Sequence, residues 1–154
     1  MLKKNDLVML SHFRTNSRIS LTKLSKITKI PVSTLFDKLK LFESKSLIRK
    51  NTVIIDFKKL GFEIKNVMLL SAKNKENLQK FLLRHPKVNN VFKINNGFDF
   101  IIEVVFKDLS ELNDFFKQLD SFEIVDKKEF FILEDLKREE FLSADTKYPE
   151  IINF

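Results

Sequence analysis

The segment that most constrains the fold is residues 20–42, SLTKLSKITKIPVSTLFDKLKLF. Its apolar residues recur every three or four positions on both sides of Pro31, as on one face of an α-helix. They are Leu21, Leu24 and Ile27 before the proline and Leu35, Leu39 and Phe42 after it. Because proline cannot continue a preceding helix, the pattern predicts two short helices joined by a tight turn. The outer face of the second helix is polar and basic, which is typical of a helix that enters the DNA major groove; an ordinary helical hairpin with a solvated face is the alternative.

Charge is divided unevenly along the 154 residues. Residues 1–60 contain fourteen Lys or Arg and four Asp or Glu, a formal charge of +10, whereas residues 61–154 carry −3. A basic half beside an acidic half indicates a module for nucleic acid or another anionic surface joined to a second module. A lysine-rich composition alone does not explain the acidic second half.

Composition argues against several classes of protein. The chain has no cysteine, which excludes disulfides, thiol catalysis and cysteine-ligated metal. No apolar run approaches a membrane span and no signal segment is present, so we expect a soluble, cytoplasmic protein without membrane contact. The two histidines, His12 and His85, lack metal-ligand spacing. We therefore expect no enzyme activity, and neither catalytic residues, metal nor cofactor.

A further helix is predicted near the N-terminus. Asp6 is a suitable N-cap, and apolar residues follow it at helical spacing. These residues are Leu7, Leu10 and Phe13. Residues 1–50 are therefore predicted as a three-helix, winged-helix-like DNA-binding domain of the helix-turn-helix type. Residues 51–63 are predicted as a linker strand and turn, because TVII within them is β-branched.

The second half alternates strands and helices in the order β-α-β-β-α-β. The predicted strands are residues 66–72, 88–94, 98–107 and 130–133, and the predicted helices are 76–84 and a segment after the Asp108/Glu111 capping pair. Asn96-Gly97 between apolar runs is a hairpin signal. The order predicts a ferredoxin-like domain over 64–135, with both helices on one face of an antiparallel sheet. A C-terminal extension, 136–154, follows; its Ile151, Ile152 and Phe154 are expected either to dock onto a partner or to fray.

The strand after the hairpin predicts self-association. Its inner positions are apolar from Phe98 to Phe106, whereas Ile101, Glu103 and Val105 point the other way. A face that mixes apolar and charged residues in this way packs most simply on a second copy of itself, as a two-fold dimer. A monomer with a half-solvated sheet is the alternative.

The order and spacing of these segments resemble the Lrp/AsnC family of transcription regulators over residues 5–135. The matching stretches are NSRISLTKLSKI, STLFDKLKLFESKSLI, IIDFKKLGF and HPKVNNVFKINNGFDFIIEVVF. The resemblance implies an α+β protein with a helix-turn-helix domain and a ferredoxin-like (RAM) domain that dimerises, assembles into tetramers or octamers, and senses amino acids. By position, it places DNA contacts on Ser33, Thr34, Asp37, Lys38 and Lys40, with Arg18 and Lys29 near phosphates.

The chain departs from the family pattern where glycines are usual. Lys29 stands in the turn and Ser46 at the end of the third helix. Because a non-glycine residue at positive φ costs about 1 kcal/mol, a turn of different shape is an alternative at Lys29. Asn96 replaces the glycine of the family's Gly-x-x-Asp, and Gly97 and Asp99 complete the effector site that the resemblance implies.

Two residues of the third helix, Phe36 and Leu41, are apolar where the family is usually polar. Such side chains contact thymine methyl groups or pack against a neighbouring helix, and the second arrangement is our expectation.

The resemblance implies a sequence-specific transcriptional regulator that binds double-stranded DNA as a dimer or larger symmetric oligomer and responds to an amino acid or another small molecule. The alternatives are a DNA-compacting architectural protein with little sequence preference, a metabolite-binding module and, because some relatives decarboxylate haem precursors, an enzyme on the same fold.

Overall fold

The computed structural model describes residues 2–144, which form two compact units. The first unit consists of residues 2–54 and 136–144, and the second of residues 55–135. Ile151, Ile152 and Phe154, for which docking or fraying was predicted, lie outside the described residues. Within residues 2–144, no helix has the length and apolar character needed to cross a lipid bilayer.

Three helices form the first unit: α1 (Lys4–Thr15), α2 (Leu21–Thr28) and α3 (Val32–Ser44). The Ser20 hydroxyl caps α2 by accepting the Lys23 N–H at 3.2 Å, and α3 begins directly after Pro31. The predicted helix-turn-helix is thus confirmed. Its core contains one buried side chain from α1, one from α2 and others from the turn and α3, namely Met9, Leu24, Ile30, Leu35 and Phe42.

The start of α1 differs from the prediction. Asp6 is the third residue of the helix rather than its N-cap, and its carboxylate accepts the Lys3 N–H at 2.9 Å. Met9 is the fully buried apolar residue, while Leu7 is only half-buried. A carboxylate in the first turn satisfies an N-terminal N–H group as a cap does, so an acidic residue alone does not fix where a helix starts.

In the first unit, the two turns that lack the usual glycine keep a left-handed backbone. Lys29 has φ 61° and ψ 17°, and its N–H donates to the Ser25 carbonyl at 2.8 Å. Ser46 has φ 54°. The turn shape is therefore retained at Lys29, and the alternative of a differently shaped turn is wrong.

The linker strand predicted within residues 51–63 is not formed. Residues 51–56 have no regular structure, and a single 3-10 turn, Lys58–Leu60, follows them. β-Branched residues favour an extended chain, but a strand also needs a hydrogen-bonding partner. No segment within residues 2–144 pairs with this one, and its Val53 and Ile54 are exposed.

The second unit is an antiparallel sheet with two helices. Its elements are β1 (Ile64–Ala72), α4 (Lys75–Arg84), β2 (Val88–Lys93), β3 (Phe100–Phe106), α5 (Leu109–Asp120) and β4 (Ile124–Phe131). The strand order β2-β3-β1-β4 is that of the ferredoxin-like fold, which confirms the predicted fold class. β4 begins six residues before the predicted strand, because it is an edge strand with exposed charged residues that hide its period.

The core of the second unit lies between the helices and one face of the sheet. Every second residue of β3 from Phe100 to Phe106 is buried there, as predicted. The helices contribute Leu78 and Leu82 from α4 and Leu112, Phe115 and Leu119 from α5. The opposite face of the sheet has no helix over it among these elements.

Candidate nucleic-acid interface and effector site

The outer face of α3 carries three of the predicted DNA-contacting residues. Ser33, Asp37 and Lys40 are exposed at positions i, i+4 and i+7, which lie on one side of a helix. The inner side is formed by Leu35, which is fully buried, and Phe42. Thr34 lies at the edge and is half-buried. The helix therefore presents a hydroxyl, a carboxylate and an ammonium group to solvent.

Phe36 lies on this exposed side as well. Its side chain is 45% exposed, and the Lys40 ammonium lies 4.3 Å from the centre of its ring. Phe36 does not join the hydrophobic core described for the first unit. The expected packing of Phe36 against a neighbouring helix therefore stays a prediction. Leu41, five residues further along the helix, is exposed to the same extent.

Lys38 lies on the inner side of α3, where it pairs with Asp6 of α1. Asp6 is only 5% exposed. Burial alone would raise the pKa of the Asp6 carboxyl, but the hydrogen bonds from Lys38 and the Lys3 N–H, together with the charge of Lys38, hold it below its ordinary value. The Lys38 ammonium group therefore joins two helices, a role the sequence did not indicate.

Arg18 and Lys29 lie at the two ends of α2. Both are exposed. The Arg18 N–H donates to the Asn16 side chain at 3.0 Å, which fixes the backbone just before α2. Lys29 is held by its left-handed turn between α2 and α3. Their charged side chains thus add to the positive charge of the first unit, which also contains α3.

The predicted effector residues lie in the β2–β3 loop. Asn96 and Gly97 are exposed and have φ of 73° and 96°. A Cβ atom at Gly97 would meet no atom within 4 Å, so glycine is needed there for its backbone conformation rather than for a close approach.

Asp99 is instead half-buried and engaged. Its carboxylate accepts hydrogen bonds from Lys75 at 2.6 Å, from the Ala72 N–H at 3.1 Å and from the Ser71 hydroxyl at 3.2 Å. Burial alone would raise the pKa of Asp99, but these three donors and the charge of Lys75 lower it overall. Through these hydrogen bonds the Asp99 carboxylate connects the β2–β3 loop to the end of β1 and to the start of α4.

The open sheet face carries the predicted dimer residues. Ile101, Glu103 and Val105 occupy its centre on β3, where Glu103 lies 3.6 Å from the Lys65 ammonium group. Its apolar residues come from all four strands: Val67, Leu69, Phe92, Ile101, Val105 and Phe130. The charge of the central carboxylate is therefore balanced within its own chain, without a group from a second copy.

Sequence reasoning missed one set of contacts in the first unit. The Arg14 guanidinium donates to the carbonyl of Phe141 at 3.1 Å and to the carbonyl and carboxylate of Glu139 at 2.8 and 3.0 Å. The Ala144 N–H donates to the Thr15 hydroxyl at 2.8 Å. We call these contacts the C-terminal clasp of α1. No local pattern could have revealed them, because the partners are about 125 residues apart.

His85 has a structural environment. Its ring lies between Phe81 and Phe115, with ring centres 5.0 and 4.9 Å away, and its Nδ1 accepts the Lys87 N–H at 3.2 Å. Burial lowers the pKa of His85, which favours the neutral ring. Among residues 2–144, no group of three or more potential metal ligands is present.

Comparisons with known proteins agree with this architecture. The sequence model of the Lrp/AsnC ligand-binding domain matches residues 66–142, half of the chain. An HTH-type transcriptional regulator of Pyrococcus furiosus, PF1734, is 25% identical over 138 residues, covering 88% of this chain and 93% of that protein. The transcriptional regulator AzlB of Bacillus subtilis is 29% identical over 120 residues, covering 75% and 76% of the two chains.

Two solved structures show the same fold. The Neisseria meningitidis regulator NMB0573, in complex with L-Met, has a TM-score of 0.83 at 19% identity, covering 90% of this chain and 94% of that one. LrpC of B. subtilis has a TM-score of 0.80 at 19% identity, covering 89% and 98%. The chain therefore belongs to the Lrp/AsnC family of transcriptional regulators.

Proposed function

We propose that this chain is a sequence-specific regulator that binds double-stranded DNA in the cytoplasm through the outer face of α3. The observation that carries the proposal is the exposed row of Ser33, Asp37 and Lys40 on the second helix of a helix-turn-helix. The first 60 residues carry a formal charge of +10, and such a basic unit gains affinity for DNA through counterion release.

The chemistry of each exposed side chain determines which part of the DNA we expect it to contact. Ser33, near the start of α3, contacts a base edge or a phosphate, and Asp37 accepts a hydrogen bond from a cytosine amino group. Lys40, Arg18 and Lys29 neutralise phosphates, which position the protein without reading the sequence. Thr34 contributes a hydroxyl at the edge of the helix. Lys38, predicted to contact DNA, is reassigned to positioning α3 because Asp6 engages its ammonium group.

The regulator acts as a two-fold dimer through the open sheet face, and larger symmetric oligomers are built from such dimers. Phe92 and Phe130 support this proposal, because they lie on this face, are 57% and 52% exposed, and would lose unfavourable contact with water in a dimer. Two copies are also what a helix-turn-helix protein needs to read paired half-sites.

An amino acid is the proposed effector, as the L-Met complex of the neisserial relative suggests. Its ammonium group would take the place of Lys75 at Asp99, beside Asn96 and Gly97, because the Asp99 carboxylate already accepts three hydrogen bonds. Removing the Lys75 ammonium group should therefore increase effector affinity, which isothermal titration of Lys75→Ala with L-methionine would measure. Unchanged or weaker binding would contradict this site.

DNA binding over a salt series tests the main proposal. We expect the full chain to prefer a native promoter fragment over a scrambled fragment of equal composition, with affinity that falls steeply as salt rises. Lys40→Ala should lower the salt slope by about one, whereas Lys80→Ala, an exposed lysine on α4, should leave it unchanged. Equal affinity for both fragments would favour the architectural alternative, and no binding at low salt would exclude both.

A further inference from the structure

We infer that Phe36 reads thymine methyl groups in the major groove, so that this regulator prefers half-sites with a thymine opposite the first two turns of α3. The inference rests on the proposed function and adds a specificity-determining residue to it.

The exposure of Phe36 is the first observation. Aromatic side chains carry the largest apolar area and are usually buried. On the same helix, Leu35 is 0% exposed and Phe42 is 4% exposed, whereas Phe36 is 45% exposed. The fold of the first unit therefore leaves almost half of Phe36 accessible to a ligand.

The position of the ring on the helix is the second observation. Phe36 is the fifth of the thirteen residues of α3, and recognition helices contact base edges mainly through their N-terminal residues. Ser33 and Lys40, at i−3 and i+4, are its neighbours on the exposed side. The ring thus stands between the groups proposed to contact bases and phosphates.

The Lys40 ammonium group restricts what the ring can contact. It lies 4.3 Å from the ring centre, so its attraction to the ring face holds the two side chains together. A cation at this place favours an anionic partner over an apolar protein surface or a lipid interior. DNA offers both a phosphate for the ammonium group and bases for the ring.

The chemistry of the major groove then identifies the base. A phenyl ring neither donates nor accepts hydrogen bonds, so it cannot read the donor and acceptor pattern of the other base edges. The C5-methyl group of thymine is the apolar group of the major groove, and apolar side chains contact it. Phe36 therefore favours thymine, while Asp37 beside it favours cytosine.

Removing the methyl group tests this assignment. A duplex that the full-length wild-type chain selects from a random 24-base-pair pool would be resynthesised with each thymine replaced singly by deoxyuridine, and affinity measured by fluorescence anisotropy. We expect one position in each half-site to weaken wild-type binding by about fourfold, the value for one buried methyl-sized group. Phe36→Ala should bind the thymine duplex more weakly and lose this sensitivity. Phe36→Leu, which keeps an apolar side chain, should retain it.

Leu41→Ala is the matched control, because Leu41 has the same 45% exposure but lies in the last turn of α3. It should keep the wild-type sensitivity to deoxyuridine. If Phe36→Ala stays as sensitive as the wild type, or if no thymine is sensitive in the wild type, Phe36 does not read the methyl group although specific binding stands. If the wild-type chain selects no duplex from the pool, the proposed sequence-specific function fails as well.

Discussion

Replacing Lys38 by methionine should destabilise the first unit, because it removes the partner of a buried carboxylate. Asp6 is 5% exposed and accepts only two hydrogen bonds in the described structure, from Lys38 and from the Lys3 N–H. Removing one partner of a buried ion pair costs about 3–5 kcal/mol. Asp6 retains the Lys3 N–H and a favourable place in the first turn of α1, worth about 0.3–1 kcal/mol. Lys38 is itself partly exposed, so we expect a loss of about 2–3 kcal/mol at pH 7.

The loss should depend on pH in a defined direction. The pKa of Asp6 is lowered in the folded chain, so its contribution is present above the unfolded pKa, near 3.8, and disappears as the pH falls through the lower folded value. In Lys38→Met the hydrogen bond and the charge of Lys38 no longer oppose the effect of burial, so the pKa of Asp6 should be higher than in the wild type and the carboxyl group should protonate more easily. The difference between the wild type and the variant should therefore shrink as the pH falls from 7 to 3.

Urea unfolding followed by circular dichroism at 222 nm measures this difference, since the chain contains no tryptophan for fluorescence. Lys40→Met is the control, because Lys40 lies two residues further along α3 and is exposed; it should change the free energy of unfolding by less than about 0.5 kcal/mol. Replacing Asp6 by leucine in the Lys38→Met background should recover most of the loss, because it removes the unpaired charge. Equal stability of the two single variants, or a difference independent of pH, would refute the reasoning.

Three other predictions concern the turns, the clasp and the loop. Lys29→Gly and Ser46→Gly should each raise the free energy of unfolding by up to about 1 kcal/mol, because glycine relieves the strain of positive φ; Lys26→Gly, inside α2, should lower it. Arg14→Ala should accelerate amide hydrogen exchange in α1, since it breaks three contacts of the C-terminal clasp. Asp99→Asn should loosen the β2–β3 loop because it weakens the pairing with Lys75, which faster exchange at the Ala72 N–H would show.

The outcomes that contradict these predictions are equally specific. A decrease in stability for Lys29→Gly would mean that the lysine side chain makes a contact outweighing its backbone strain. Unchanged exchange in α1 of Arg14→Ala would leave the clasp without a stabilising role. Protection of Ala72 that persists in Asp99→Asn would assign the order of the loop to its backbone bonds, such as the one from Asp99 N–H to the Leu70 carbonyl at 2.9 Å.

Local periodicity was enough to predict the helices and the buried face of the most regular strand. Pro31 and the apolar stripes around it predicted the helix-turn-helix, and the alternation in β3 predicted its buried face. The prediction of a linker strand was wrong because a strand needs a neighbouring strand to hydrogen-bond with, and sequence propensity does not show whether one is available. β4 was misplaced because the charged residues of an edge strand lack a clear alternation.

Side-chain roles depended on contacts between distant residues. Lys38 was predicted to face DNA. Whether a lysine at the edge of a helix points inward depends on whether the neighbouring helix has an acidic residue to pair with it. Here α1 offers Asp6, 32 residues earlier in the chain. Ser33, Asp37 and Lys40 were easier to place, because their exposure follows from the helical period alone.

The C-terminal clasp has a consequence for biosynthesis. Arg14 emerges from the ribosome before Glu139, to which it donates and which follows 125 residues later. The whole second unit, residues 55–135, is made in between. A nascent or prematurely terminated chain can form the helices of the first unit, but its α1 lacks these acceptors. The first unit is therefore completed only after the second unit has been made. A product that is shortened before residue 136 keeps the three helices of the first unit, but α1 lacks its contacts with Glu139 and Phe141.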